Sequence, residues 1–379
     1  MRPIRVMRLL TRPNLGGPAR QCDALAEVFP SLGLRQLWVH GTPGRGEVEL
    51  PLRTPRLAAV DAERRGPLAE GVVKLRELRP GLDPAGDLMS LSALLRLARS
   101  FRPEILHSHT AKAGMLAAIL AGRLRIPLVH SFHGHVMRDY FSGFASRVLS
   151  RVEAGLGRRR SLVLSVSESC ETELRELGVV DGTRSRVVAP AVPPPERSGT
   201  RNELRDRLGI PDGALAVAFA GRLVPVKDPL LFVETVARLD ELTDRTVLAF
   251  CFGAGVLEPA VRREAARVPI RMMGSDPGFP GLLGAFDLVL LCSRREGLPL
   301  AAVEALLAGV PVVGTRVPGL SDLQGPGVRL ALRSADGLAR ACLETSEVPP
   351  SRRRELMERH SPRAVARRHV ELYREILRA

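Results

Sequence analysis

The sequence predicts two α/β domains in tandem, each a parallel sheet with helices on both faces. Three observations carry this. The chain has 379 residues, enough for two domains when single domains run about 100–200 residues. Short runs rich in Val, Ile and Leu alternate with amphipathic helical patterns from end to end, the rhythm of strands that need helical crossovers. A proline-rich break then interrupts that rhythm near the middle of the chain.

Taken in order, MRPIRVMRLL alternates apolar and basic residues with no apolar core segment or small-residue cleavage site, so it reads as a first strand and not as a signal peptide. Gly16 and Gly17 in NLGGPARQ follow it, ahead of a helix that can begin at Pro18. Further strands are expected at LRQLWVH, PEILHSH, PLVHSFH and SLVLSVS, then at ALAVAFAGR, TVLAFCFG, DLVLLCS and VPVVGT. Between the two groups, VVAPAVPPPERSGTRNELRDRLGIP reads as the interdomain linker. A last helix opens at Ser361-Pro362 and turns Val365, Leu372, Tyr373, Ile376 and Leu377 toward an apolar surface. The expected division is an N-terminal domain over 1–195, a C-terminal domain over 196–360, and a helix over 361–379 packing back toward the N-terminal domain.

Composition narrows the function. The net charge is +15, yet only three of the 56 basic residues are lysines (Lys74, Lys112, Lys227) and aromatics make up 4%. A dispersed, arginine-biased charge without aromatics is not the footprint of a nucleic-acid binder. The five cysteines (Cys22, Cys170, Cys251, Cys292, Cys342) are scattered with no C-x-x-C pair, which fits free thiols and a cytoplasmic protein. The triplets RRR at 158–160 and 352–354 read as solvated faces. The first 195 residues hold 29 basic and 18 acidic side chains. Among them, ASRVLSRVEAGLGRRR is a basic amphipathic pattern that fits either a half-buried structural helix or peripheral contact with the inner membrane face.

The chemistry concentrates in SRREGLPLAAVEALLAGVPVVGT (293–315). DLVLLCS is a buried strand, SRREGLP the loop at its C-terminal end, and Pro299 suits the first position of a helix that stops at Gly309. Ligands of open α/β sheets bind at that strand edge, so Glu296 sits at the mouth and the helix aims its free N–H groups there. Glu304 lies deeper, on a helix with no polar face to join; a ribose diol would satisfy both carboxylate oxygens. In AFAGRLVPVKD, Arg222 and Lys227 reach the same edge, where two cations suit a diphosphate. Two H-x-H pairs, His107/His109 and His133/His135, end strands of the first domain. They lack the carboxylate or cysteine companions of a metal site, and His133 reads as a hydrogen-bond partner for a sugar hydroxyl.

The run E-G-L-P-x4-E from Glu296 to Glu304, followed by A-x3-G-x-P-V-V, resembles the E-x7-E signature of glycosyltransferase family 4, retaining enzymes of the GT-B architecture. GRLVPVK resembles that family's diphosphate loop, NLGGPARQ its first-domain glycine loop, and HTAKAG with VHSFHGH its histidine-bearing strands. The chain departs from the pattern at VVAPAV and at GAG (253–255). The resemblance implies two Rossmann-like domains facing each other across a cleft, and transfer from a nucleoside diphosphate sugar, a UDP-sugar first, to a saccharide, lipid-linked or small-molecule acceptor. On this reading His133, Arg222, Lys227 and Glu296 are catalytic. The donor is held by Gly16, Gly17, Arg222, Lys227, Asp276, Glu296, Gly297, Leu298, Leu300 and Glu304. No metal or cofactor is required, and the chain has no Asp-x-Asp. A nucleotide-sugar epimerase or phosphorylase on the same scaffold, and a two-lobed ligand-binding protein, are the competing readings.

Overall fold

The structure is a computed structural model that describes residues 2–44, 47–53, 70–81, 83–134, 155, 160–196 and 198–379. The chain divides into two compact units, Met1–Ala191 with Pro362–Ala379, and Val192–Ser361.

In the first unit the strands are β1 (Ile4–Leu10), β2 (Leu34–His40), β3 (Gly71–Lys74), β4 (Ile105–His109), β5 (Leu128–Phe132), β6 (Leu162–Ser165) and β7 (Ser185–Val187). They form one sheet in the order β3-β2-β1-β4-β5-β6-β7, every pair parallel. The helices α1 (Gly17–Val28), α2 (Pro84–Phe101), α3 (Ala111–Leu124) and α4 (Glu168–Glu176) make the crossovers. Their ends follow local chemistry. Asp83 caps α2 by accepting from the Gly86 N–H at 3.0 Å, and Arg102 ends it in the left-handed region at φ 53°. Because β1 and β4 are hydrogen-bonded neighbours, with Leu10 opposite His109, the winding of the sheet reverses between them and leaves a crevice at their C-terminal ends.

The second unit begins with α5 (Arg201–Leu208), inside the segment read as linker from its prolines. Thr200 and Glu203 form a capping box that starts this helix. Six parallel strands follow: β8 (Leu215–Ala220), β9 (Val247–Phe252), β10 (Ile270–Gly274), β11 (Leu288–Leu291), β12 (Val312–Thr315) and β13 (Val328–Ala331), in the order β10-β9-β8-β11-β12-β13. Their helices are α6 (Pro229–Leu242), α7 (Glu258–Ala265), α8 (Leu300–Ala308), α9 (Ala335–Leu343) and α10 (Pro350–His360). Here the winding reverses between β8 and β11. A core of Val217, Phe219, Phe232, Val236, Leu288 and Leu290 holds α6 against the sheet, with the rings of Phe219 and Phe232 5.1 Å apart. Each such side chain contributes about 1.5–3 kcal/mol by leaving water.

The last helix, α11 (Pro362–Arg378), belongs to the first unit. It packs on α1 through a cluster holding Val365, Leu372 and Tyr373 beside Leu25 and Phe29. Ile376 packs at the cluster's edge, whereas Leu377 is 40% exposed, contrary to the periodicity. Arg160 also departs from the sequence reading. It is buried, with its guanidinium carbon 5.2 Å from the Phe132 ring centroid. The amphipathic pattern at 145–160 otherwise lies outside the described residues, apart from Gly155, as does His135. No helix among the described residues is long and apolar enough to cross a membrane.

A candidate donor site on the second unit

The C-terminal edge of the second sheet brings together most of the residues singled out from the sequence. Strand β8 ends at Ala220, and Gly221 opens a loop that lies against residues 253–255. The Leu223 N–H donates to the Ala254 carbonyl at 2.9 Å. A side chain at 253 would put its Cβ 1.8 Å from the Gly221 oxygen, and one at 255 would meet the Leu223 oxygen at 2.4 Å. The GAG departure therefore has a packing role, close approach of two backbones. Arg222 is exposed and makes no ion pair to a described residue. A 3-10 turn, Pro225–Lys227, then brings Lys227 back to the edge.

Lys227 meets Glu296 there, Nζ to Oε1 at 2.5 Å. The Glu296 side chain is 7% exposed and that of Lys227 23%. Ser293 donates to the same carboxylate oxygen at 2.5 Å. The loops behind them are tied at the backbone, the Arg294 N–H donating to the Val226 carbonyl at 2.8 Å. Thr315, ending β12, donates to the Ser293 carbonyl at 2.5 Å. Gly319 closes over the loop at φ +81°, where a Cβ would stand 2.5 Å from the Gly297 oxygen and 2.8 Å from the Glu296 oxygen.

Helix α8 follows. Pro299 is its N-cap, with ψ 115°, and not its first helical residue; Leu300 is. Leu298 is buried and Gly297 and Leu300 are partly so. The N–H groups of the first turn have no intrahelical partner and carry the positive end of the helix dipole toward the loop. Glu304, fifth in the helix, is 2% exposed between Val303 and Ala305, both fully buried. Asp276 is exposed, and its carboxylate accepts from the Gly278 N–H at 2.7 Å, an interaction within its own turn.

The first unit holds the remaining residues. Gly16 is the N-cap of α1 and Gly17 its first residue, one earlier than Pro18. His107 and His109 share one face of β4, their rings 4.3 Å apart. His107 is satisfied on both nitrogens, by the Tyr373 hydroxyl at 2.5 Å and by Ser131 at 2.8 Å. His133, just past β5, faces His109, Nε2 to Nδ1 at 2.9 Å. Burial, with Arg8 as the next cause, pulls His133 down to about 3. Burial likewise holds His107 and His109 well below the ordinary range. These imidazoles are neutral hydrogen-bonding groups at pH 7. Among the described residues no three His, Cys, Asp or Glu side chains are grouped to hold a metal ion.

Sequence reasoning missed Ser293, Thr315 and Thr110. Thr110 caps α3 at φ 76°, ψ 149°, a region that a β-branched residue enters at a cost of about 1–3 kcal/mol. Its hydroxyl is 2.7 Å from that of Thr11 across the β1/β4 crevice. Ser293 had a usable signal, being three residues before Glu296 on the same loop. Thr110 had none, since nothing local tells a strained threonine from an ordinary one.

Comparison with known proteins finds glycosyltransferase domains in both halves of the chain. The family model described as Glycosyltransferase Family 4 matches residues 15–195, and that described as Glycosyl transferases group 1 matches residues 214–347. A protein of Bacillus subtilis named for glycosyl transfer in teichuronic acid biosynthesis is 31% identical over 64% of this chain and 61% of its own length. The D-inositol 3-phosphate glycosyltransferase of Xylanimonas cellulosilytica is 30% identical over 63% of this chain and 62% of its own. The matched region thus spans less than two thirds of either relative. Among solved structures, Anabaena HepE in complex with UDP and glucose superposes with a TM-score of 0.77 at 19% identity, over 97% of this chain and 99% of that one. The chain thus carries a Glycosyltransferase Family 4 domain over residues 15–195 followed by a Glycosyl transferases group 1 domain over residues 214–347, on the GT-B fold that its structural neighbours share.

Proposed function

We propose that this chain is a retaining glycosyltransferase that moves a sugar from a UDP-sugar to a hydroxyl of a lipid-linked saccharide or small-molecule acceptor. The observation that carries the reading is the Lys227–Glu296 pair at the strand edge where the second sheet reverses its winding. In this scheme Glu304 accepts from the ribose hydroxyls, while Gly297, Leu298 and Leu300 bring backbone against the donor. Lys227, Arg222 and the N–H groups opening α8 meet the charge that develops on the diphosphate as the anomeric C–O bond breaks. Lys227 can do this while paired, because an ammonium has three donors and Glu296 occupies one. The acceptor oxygen attaches on the face that the diphosphate leaves, and its proton passes to the departing phosphate oxygen. Charge stabilisation by these cations makes a metal unnecessary. Glu296 and a neutral His133 act on the transferred sugar, Gly16, Gly17 and Asp276 contribute to holding the donor, and the first unit receives the acceptor.

Support for UDP comes from the HepE complex, which holds UDP and glucose. Keeping both acceptor classes in view is supported by the relatives' names, one for teichuronic acid biosynthesis and one for D-inositol 3-phosphate. The test is calorimetry with UDP, ADP and GDP, followed by incubation with radiolabelled UDP-sugars and either membrane lipid extract or a soluble metabolite pool. Selective UDP binding with label entering one pool supports the reading and assigns the acceptor class. An isomerised sugar from donor alone would make the protein an epimerase, and binding without sugar release would make it a ligand-binding protein.

A further inference from the structure

Asp228 stands between Lys227 and α6 in an unusual state. It ends the 3-10 turn and opens the helix with φ 48° and ψ 56°, a left-handed conformation that aspartate tolerates better than most residues but that still carries strain. Its side chain is 11% exposed, so its charge needs partners. Two arginines supply them on one oxygen: Arg333 Nη1 at 2.6 Å and Arg294 Nε at 3.2 Å. Arg333 lies just past β13 and Arg294 just past β11, while Asp228 itself follows the β8 loop. One carboxylate therefore joins the loops that follow three strands, with the Arg294 N–H to Val226 carbonyl bond beside it.

The consequence falls on Lys227, whose backbone is fixed between that bond and Asp228. With its main chain held, its ammonium meets Glu296 in a single geometry; without the bracket, the loop could turn the ammonium into water, where an exposed ion pair holds little. We propose that Asp228, bracketed by Arg333 and Arg294, is a positioning residue that holds Lys227 against Glu296. For its catalytic meaning, though not for the contact itself, this rests on the donor-site reading above.

The chain's three lysines allow a direct test. Brief competitive acetylation of the native protein, read by mass spectrometry, compares Lys227 with Lys74 and Lys112 as internal references. Asp228→Asn and Arg333→Gln should each raise Lys227 labelling relative to both references roughly five-fold, the equilibrium effect of losing about one hydrogen bond. The Lys74 to Lys112 ratio should stay constant, which a partly unfolded protein would not show. Unchanged Lys227 labelling in both variants would overturn the bracket, with or without a donor. Where the wild-type protein turns over a UDP-sugar, Asp228→Asn should lower kcat more than it changes the donor KM. Combining it with Lys227→Ala should then cost no more than Lys227→Ala alone. Losses that multiply would show Asp228 acting independently of Lys227. Failure of UDP binding in the wild-type protein would remove the donor-site reading and leave the labelling result standing.

Discussion

Lowering the pH from 7 to 5 should destabilise the first unit selectively. His369 is 1% exposed, and its Nδ1 donates to the Val365 carbonyl at 2.8 Å. Burial, the largest cause, brings its pKa down to about 4, against roughly 6.5 in an unfolded chain. As pH falls through about 6.5 the unfolded chain takes up a proton that the folded one refuses until about pH 4, so stability is lost as pH drops across that window. For His369 alone the loss between pH 7 and pH 5 is roughly 2 kcal/mol. His107, His109 and His130 are held well below the ordinary range and His133 at about 3, so all four add in the same direction. The loss from His369 alone is already a large share of a whole-domain stability of about 5–15 kcal/mol. Carboxylates contribute little here; Glu104, held low chiefly by its bonds to Arg5 and Arg2 once burial is offset, loses its stabilising effect only below about pH 4.5. The chain's single tryptophan, Trp38, is fully buried in the first unit, so its fluorescence during urea titration reports that unit alone. The midpoint should fall steeply from pH 7 to 6 to 5 while far-UV circular dichroism resolves a second, less sensitive transition. A Trp38 midpoint that is the same at pH 7 and pH 5 would refute the reasoning.

Two further outcomes concern the candidate site. Glu304→Ala should weaken UDP binding by about 1.5–3 kcal/mol, the worth of a charged hydrogen bond to a buried diol, with Glu296→Ala acting more on turnover; wild-type UDP affinity in Glu304→Ala, by calorimetry, would remove the ribose assignment. Arg222→Ala and Lys227→Ala should each lose about 3–4 kcal/mol of transition-state stabilisation, with transfer surviving EDTA; activity abolished by EDTA and restored by manganese would reject the cationic scheme.

What the sequence revealed of the fold follows a physical pattern. Nine strands were legible as apolar runs, and four were not: β3, β7, β10 and β13. These are the outermost strands of the two sheets. An edge strand is short and has one side without a neighbour, so its apolar run is weak or absent. In β10 (IRMMG) and β13 (VRLA) no residue is fully buried. The candidate site was legible where chemistry conflicts with surroundings, as at Glu304, a carboxylate on an apolar helix. It was hidden where the function of a residue depends on partners distant in sequence. Asp228 looks like an ordinary helix-capping residue until Arg333, 105 positions away, is seen to reach it.

Lysine is rare in this chain, with three among 56 basic residues, so what separates Lys227 from the other two can be read directly. All three lysines hold carboxylates: Lys74 with Glu49 at 2.8 Å, Lys112 with Asp87 at 2.6 Å, and Lys227 with Glu296 at 2.5 Å. Pairing is therefore shared, and what separates Lys227 is its place on the crevice loop. An arginine there would keep the charge but tends to bind a carboxylate through two parallel N–H groups, drawing its fork onto Glu296, whereas an ammonium can hold Glu296 and still present donors to a diphosphate. Lys227→Arg should then fold with unchanged stability and lose at least ten-fold in kcat, about 1.4 kcal/mol, while Lys74→Arg and Lys112→Arg leave turnover as it was. Full activity in Lys227→Arg would mean that only the charge at 227 matters, and the geometric part of the argument would fall.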